Sequence, residues 1–334
     1  MRSDVHSTIK IQQSTIPHET IPSSQRSLRL FSAGSAVKGL SRGARRVFAE
    51  SAVHIRNMQL SVVIITFNEE ANIGRTLQSV QPLVADGKGE IIVVDSGSTD
   101  RTVEIATAHG AKVFVEEWKG YAAQKHSAIE KASGNWILSL DADEELDPEL
   151  LRELTGQNPG SRSSPREWCL TMGGSKEALA GSPVGFHIRR KNYFLGRWIR
   201  HGGFWPDPKL RLFRRGAGTF ENRAVHEDVQ VNGPTLAVPS GALIHHSYPT
   251  LSDYIDHMNR YSSLGAEMVV AKGNVRFSFT NIVLRPLVTF IYNYFFRLGF
   301  LDGREGLLLH LYHAVYVSWK YAKVWELSRN KLPS

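Results

Sequence analysis

The sequence predicts an α/β protein built on a mostly parallel, doubly wound sheet with flanking helices. Three observations lead there. Short apolar runs rich in β-branched residues recur at LSVVIIT, EIIVVDS, AKVFVEE and NWILSL. These runs are continuous rather than alternating, as strands covered on both faces must be. The stretches between them carry apolar residues at helical spacing, and strand–helix alternation of this kind places ligands at the strand C-termini.

The elements follow in order. LSVVIIT, from Leu60 to Thr66, is the first strand. In NEEANIGRTLQSV, Ile73, Leu77 and Val80 fall on one helical face, with Asn68 as the expected cap. EIIVVDS is the second strand, and SGSTDRTVEIATAHG supplies a turn, a cap at Ser98 or Thr99, and a helix ending at Gly110. AKVFVEE is the third strand. YAAQKHSAIEKASG is a helix closed by Gly134, and NWILSL is the fourth strand. A further helix starts near Pro148, capped by Asp147. Residues 156–182 are rich in Gly, Ser and Pro and read as an irregular excursion. Strand-like pieces follow at VGFHIRR, KLRLFRR and TLAVPSGALIHH, then a long helical stretch from about Leu251 and two apolar segments near 282–301 and 306–325.

Composition bounds the rest. The 334 residues carry one cysteine, Cys169, so no internal disulfide can form, which suits a reducing compartment. Residues 1–57 hold nine Lys/Arg against three Asp/Glu, six of the eight net positive charges. That segment has no apolar stretch of signal-peptide type. It reads as a disordered basic extension or as frame upstream of a start at Met58, with a basic membrane-surface tail as a third reading. The remaining chain has no dense basic runs with interleaved aromatics, which argues against nucleic acid. The expected divisions are 1–57, then 58–155 and 156–250 as two halves of one catalytic domain, and 251–334 as a helical, membrane-associating region.

The stretch WILSLDADEEL is chemically demanding: an apolar run ends in Asp141, Asp143, Glu144 and Glu145. Neighbouring carboxylates repel and are costly to bury without positive charge. Asp141 and Asp143, two apart on an extended chain, point the same way. Such a pair at a ligand crevice suits a hard divalent cation, Mg²⁺ or Mn²⁺, that also takes substrate phosphates. A calcium loop of the EF-hand kind fails, because its sixth and twelfth positions are Leu146 and Arg152. An acidic first helical turn explains Glu145 and Asp147 but not two aspartates ending a buried strand. On the same edge, TFNEE and VVDSGSTD offer Asp95, with its neighbour Ser96, for a base or ribose. Neither a P-loop nor a dinucleotide fingerprint is present.

LSVVIITFNEE, EIIVVDSGSTDRT, the helix carrying Lys125, and NWILSLDADEE together resemble the nucleotide-sugar half of family 2 glycosyltransferases over about residues 60–155. The resemblance implies their Rossmann-like GT-A fold. It implies that Thr66, Phe67, Asn68, Glu69, Asp95, Ser96 and Asp141 line a nucleotide pocket, and that Lys125 sits near the diphosphate. Asp141 and Asp143 would be metal aspartates. An exposed helix residue is the plainer reading of Lys125.

HGGFWPDPKLRLFRR, FENRAVHEDV, ALIHHSY and the C-terminal GFLDGREGLLLHLYHAVYVSWKYAKVWE are similar to a narrower branch, the lipopolysaccharide inner-core β-1,4-glucosyltransferases. That implies an inverting enzyme moving glucose from UDP-glucose to a heptose of the lipopolysaccharide core. Inverting transfer needs a carboxylate to deprotonate the acceptor. The resemblance favours Glu227, with Asp228 second; a surface turn paired to Arg223 is the competing reading. His245 would be a third metal ligand or a pyrophosphate contact, or simply end its strand. Arg211, Arg214 and Arg215 suit acceptor phosphates, or form a half-exposed strand; Phe204 and Trp205 stack on a sugar or pack.

From Pro286 to Phe296 eleven residues carry no charge, and from Gly306 to Trp319 fourteen carry none. A spanning helix needs about 20. Aromatic-rich and flanked by Lys or Arg, these segments read as amphipathic helices lying on a membrane, or as a buried helical pair. The expected place is the cytoplasm, peripheral on the inner face of the cytoplasmic membrane. The competing functions are transfer to a polyprenyl-linked or protein acceptor, and non-catalytic binding of sugar nucleotide or glycan.

Overall fold

Hydrogen-bonded register explains why the strand tips converge. Strand β1 (Leu60–Thr66) pairs in parallel with β2 (Gly89–Asp95), so that Thr66 lies beside Asp95. On its other side β1 pairs in parallel with β4 (Trp136–Asp141), and Ile65 lies beside Asp141. β3 (Lys112–Val115) adds an outer parallel strand. The computed structural model describes residues 60–157, 183–220, 229–273 and 277–329. The basic segment 1–57, the excursion over most of 156–182, Cys169, and residues 221–228 with His226, Glu227 and Asp228 lie outside the described residues.

The sheet continues across both expected halves of the catalytic region. β9 (Lys209–Arg214) runs antiparallel to β4, β6 (Gly185–Ile188) antiparallel to β9, and β12 (Thr235–Ala237) parallel to β6. The order of the seven strands is β12-β6-β9-β4-β1-β2-β3. The expected mostly parallel α/β sheet is present.

Both faces are covered, as its continuous apolar strands require. On one, Val62, Ile64, Leu138 and Leu140 pack with Ile73, Leu77 and Val80 of α1 (Ile73–Val84) and Leu150 of α4 (Pro148–Thr155). On the other, Val63, Ile92, Val94 and Ile137 meet Ala122 and Ala128 of α3 (Tyr121–Glu130). Each such fully buried Val, Leu or Ile side chain contributes about 1.5–3 kcal/mol. α2 (Thr102–Ala108) completes the first half, with Gly110 at φ 76° just past its end.

A second, four-stranded sheet lies at the acidic end. β5 (Glu144–Leu146) pairs antiparallel with β13 (Leu243–Tyr248), which pairs in parallel with β7 (Arg190–Phe194). β8 (Arg197–Trp198) closes the far edge. β10 (Gly218–Phe220) and β11 (Val229–Val231) form a separate ribbon.

Some local expectations change. TLAVPSGALIHH is not one strand: β12 and β13 belong to different sheets, divided around Pro239, whose missing N–H cannot continue a ladder. The third helix ends at Glu130, four residues before Gly134. Asn68 does not cap α1, since it sits at φ 53° and its side-chain oxygen accepts from Thr99 N at 2.8 Å. Asp147 does cap α4, accepting from Leu150 N at 2.7 Å.

Beyond β13, α5 (Leu251–Ala271) opens with a capping box of Thr250 and Asp253. It packs along α7 (Gly303–Arg329), and Tyr254 of α5 and Leu309 of α7 share a core with Phe194 and Ile199. Between them runs a helix over 280–296, with α6 (Arg285–Ile291) flanked by a π turn at each end. No helix among the described residues is long and apolar enough to cross a membrane.

Candidate active site at the acidic strand end

The acidic tip is a turn, not an extended strand. β4 stops at Asp141, Ala142 and Asp143 turn, and β5 begins at Glu144. Thr76 Oγ1 of α1 fixes the turn by donating to Ala142 O at 2.7 Å. The two aspartates therefore do not project as neighbours on one strand face, and each meets a different partner.

Asp141 is held by protein cations. Lys125 Nζ lies 3.0 Å from Asp141 Oδ1, and Arg211 Nη2 donates to Asp141 Oδ2. The same Arg211 nitrogen donates to Glu144 Oε1 at 2.6 Å. Lys125 and Arg211 are buried, so Lys125 is not the exposed helix residue of its plainer reading. Burial pushes the Asp141 carboxyl up, but Arg211 and Lys125 outweigh it and hold the group well below the usual carboxylate range. Arg211 is raised in turn: its burial is outweighed by Asp141 and Glu144.

Asp143 faces His245. Antiparallel pairing of β13 with β5 places His245 beside Glu144, and its Nε2 lies 3.2 Å from Asp143 Oδ2. The other ring nitrogen, Nδ1, lies 2.8 Å from Asn192 Oδ1 and 2.7 Å from Ser247 Oγ. Asn192 Nδ2 donates to Phe204 O at 3.2 Å and Asp207 Oδ2 at 3.0 Å. The amide oxygen is thus turned to His245, and Nδ1 carries a proton. Burial raises the Asp143 carboxyl, and the His245 charge brings it below its ordinary value.

These contacts close into a circuit. From Asp141 it runs through Arg211 to Glu144, on to Arg190 at 3.2 Å, then to Asp207. Asn192 joins Asp207 to His245, and His245 returns to Asp143. Arg190, Asn192 and Asp207 were not singled out by the sequence, and Glu144 only as one of the clustered acids. Their signal is pairing between distant strands, which no local pattern carries. Arg211 was expected at acceptor phosphates, yet its guanidinium is committed to Asp141 and Glu144. Arg214 pairs with Trp136 at the opposite end of β4. Phe204 and Trp205 are packed, Phe204 against His310 and Trp205 edge-on to Trp198.

The nucleotide-side residues gather on the same edge. Thr66 Oγ1 and Ser96 Oγ are buried with no hydrogen-bond partner among the described residues, as expected of groups that a ligand satisfies. Phe67 is 55% exposed beside them. Asp95, expected at a base or ribose, braces its own loop. Its Oδ1 accepts from Gly97 N at 2.9 Å and Ser98 N at 2.8 Å, and Ser98 Oγ donates to Oδ2. Ser98 Oγ also accepts from Asn68 N at 2.8 Å, locking the first two strand tips together. Glu69 is raised by burial, with Asp143, Asp100 and Asp141 adding to the effect.

No three His, Cys, Asp or Glu side chains converge as a metal cluster among the described residues. The expected set of Asp141, Asp143 and His245 divides: Asp143 and His245 meet, while Asp141 is engaged by Lys125 and Arg211. Two protein ligands still suit Mg²⁺ or Mn²⁺, which keep waters and draw on substrate phosphates. The Asn192 contact to the far nitrogen of His245 is the outer-shell arrangement that metal-binding histidines use.

Comparison with known proteins gives the family. Residues 61–157 match the model of glycosyl transferase family 2. The chain is 31% identical over 280 residues to the lipopolysaccharide core biosynthesis glycosyltransferase LpsC of Rhizobium meliloti (strain 1021), covering 81% of this chain and 94% of that protein. It is 30% identical to an uncharacterized glycosyltransferase of Rickettsia typhi, over 81% of this chain and 88% of that one. Among solved structures it is similar to S. aureus TarS 1-349 in complex with UDP, at 16% identity and TM-score 0.40, covering 82% and 92% of the two chains. An α/β sheet with its polar site at the parallel strand ends, matched by relatives along nearly their whole length, places the chain in glycosyltransferase family 2, as a glycosyltransferase of GT-A fold.

Proposed function

We propose that the protein is an inverting glycosyltransferase that moves glucose from UDP-glucose to a heptose of the lipopolysaccharide inner core, at the inner face of the cytoplasmic membrane. The observation that carries the reading is the strand-end site: orphaned Thr66 and Ser96 hydroxyls beside a turn that presents Asp141 with Lys125 and Asp143 with His245. The acceptor class rests on the similarity to LpsC, whose name places that relative in lipopolysaccharide core biosynthesis.

Thr66, Phe67, Asn68, Glu69, Asp95 and Ser96 form the edge against which the nucleoside sits. Asp95 does so chiefly by shaping the loop whose hydroxyls and amides face the ligand. Lys125 supplies positive charge for the diphosphate, and Asp141 orients that lysine. Asp143 and His245 would hold a divalent cation, Mg²⁺ or Mn²⁺, which when bound neutralises charge on the departing nucleoside diphosphate. Arg211 and Arg190 keep the supporting carboxylates Glu144 and Asp207 neutralised from behind. Glu227, with Asp228 as second candidate, takes the proton from the acceptor hydroxyl.

The test is transfer by the purified protein from radiolabelled UDP-glucose to deep-core lipopolysaccharide, with polyprenyl-linked glycans and UDP-galactose as competitors. Labelled core and no labelled polyprenyl product is the expected result. Turnover with polyprenyl acceptor alone would replace the acceptor assignment. UDP binding without turnover on any acceptor would favour a binding protein.

A further inference from the structure

The HGG motif at residues 201–203 and the apolar segment at 277–301 meet in the structure, and the chemistry above uses neither. Thirteen large apolar side chains in 277–301 are exposed. They are organised: Val283, Leu287, Ile291 and Phe295 form a row at four-residue spacing, and a second row runs one residue on, from Leu284 to Phe296. A contiguous apolar face of this kind on a folded protein marks an interaction surface. Charge selects the partner. From Glu267 to Asp302 the sequence contains four Lys or Arg and no intervening acid. Arg285, Arg297 and Arg304 are exposed along its border. An apolar face ringed by cations is complementary to a bilayer with anionic headgroups.

Residues 200–207, the loop that carries Phe204 and Trp205 and is termed here the acceptor loop, are bolted to this segment. The buried Asp302 carboxylate accepts from Arg200 N at 3.1 Å, His201 N at 2.8 Å and His201 Nδ1 at 2.9 Å. Gly202 N donates to Arg297 O at 2.9 Å. A Cβ on Gly203 would lie 2.2 Å from Arg297 Nη1, and one on Gly202 would lie 2.0 Å from His310 Cε1. Both glycines have positive φ, 67° and 92°. The HGG sequence is thus the surface that fits against the segment, and the same loop carries Asp207 of the site circuit.

We propose that residues 277–301 dock on an anionic bilayer surface, and that the Asp302 clamp with Gly202 and Gly203 makes the acceptor loop a rigid extension of that surface. It draws on the function proposed above only for what the loop serves.

Flotation with phosphatidylethanolamine vesicles containing phosphatidylglycerol, against phosphatidylcholine alone, reads the docking. Hydrogen exchange, with and without the anionic vesicles, reads the coupling. Wild type should float with the anionic vesicles at least ten-fold better than with phosphatidylcholine. A Leu287→Asp/Phe296→Asp variant should lose that ten-fold while its UDP affinity stays unchanged. Vesicles should slow amide exchange in both 277–301 and 200–204, and Asp302→Ala should abolish the effect at 200–204 alone. Absence of flotation, or a face buried by a second copy as seen by light scattering, overturns the docking. Protection confined to 277–301 overturns the coupling. None of these readouts uses an acceptor sugar, so failed transfer to lipopolysaccharide would sink the functional reading and leave this one standing.

Discussion

The half proposed to bind the donor, residues 60–157, and the half from 183 onward build the same site by different means. In the first, β1, β2 and β3 are each followed by a helix, and all the sheet pairings among β1 to β4 are parallel. Its site residues sit at strand ends and in the loops after them, so the side chains can change without dismantling the sheet. In the second, β13 pairs with β5 about a hundred residues earlier, and β9 inserts next to β4. Its polar residues brace one another across sheets. The donor half should tolerate loss of site residues as folded, inactive protein, whereas the second half should lose stability together with function.

The largest effect tests the first half of that contrast. Asp143→Ala is expected to lower kcat/KM for the nucleotide-sugar donor about 10³-fold, or ~4 kcal/mol of transition-state stabilisation. Asp143 is half-buried and its strong partner is one histidine, so the urea midpoint should barely move. Activity retained in chelated buffer would remove the cation from the reading.

Arg211→Ala tests the second half. It leaves the fully buried Glu144 with Arg190 as its one remaining cation and Asp141 with Lys125. Removing one partner from a buried ionic network costs about 3–5 kcal/mol, and urea denaturation should show it. Arg211→Lys keeps the charge but not the spacing that lets one guanidinium serve two carboxylates, so it should recover only part of the loss. A stability unchanged by Arg211→Ala would erase the distinction between the halves.

The same contrast explains what the sequence made legible. The four apolar runs and their following helices are local signals, and with them came Thr66, Ser96, Lys125, Asp141 and Asp143 at one edge. The wrong details were those that depend on tertiary partners. Asn68 has the chemistry of a cap, yet the second strand's loop claims its side chain. Arg211 has the chemistry of a phosphate ligand, yet β9 delivers it to Asp141. Asn192 carries no motif at all; only the β7–β13 pairing brings it to His245. HGG was visible but its reason was not, since Arg297 and His310 lie about a hundred residues away.

Asn192→Ala asks whether that long-range support matters to the cation. Freed of its amide partner, His245 can turn or change tautomer, and outer-shell losses of this kind cost about 10–100-fold in metal affinity. Mn²⁺ titration followed by electron paramagnetic resonance, in the presence of UDP, reads this without turnover. Equal affinities in the variant and wild type would reduce Asn192 to a packing residue.

The last effect lies farthest from the chemistry, at His310. It is buried, neither ring nitrogen has a hydrogen-bond partner among the described residues, and it touches the acceptor loop at Gly202. Burial pulls its pKa down to about 4, with His313 and Arg297 adding to the effect and Asp302 opposing it. A group whose folded pKa is depressed in this direction stays neutral in the native state while the unfolded chain binds its proton. Stability from this residue is therefore full above about pH 6.5, falls as pH drops toward 4, and levels off below, at a slope of at most ~1.4 kcal/mol per pH unit. Other groups titrate over the same range, so the measurement is a difference. Urea midpoints of wild type and His310→Leu, taken from pH 8 to 4, should diverge in favour of the leucine as acid is added. Parallel curves would mean that His310 accepts its proton without cost in the folded state, and that the contact joining the acceptor loop to α7 is open to water rather than sealed.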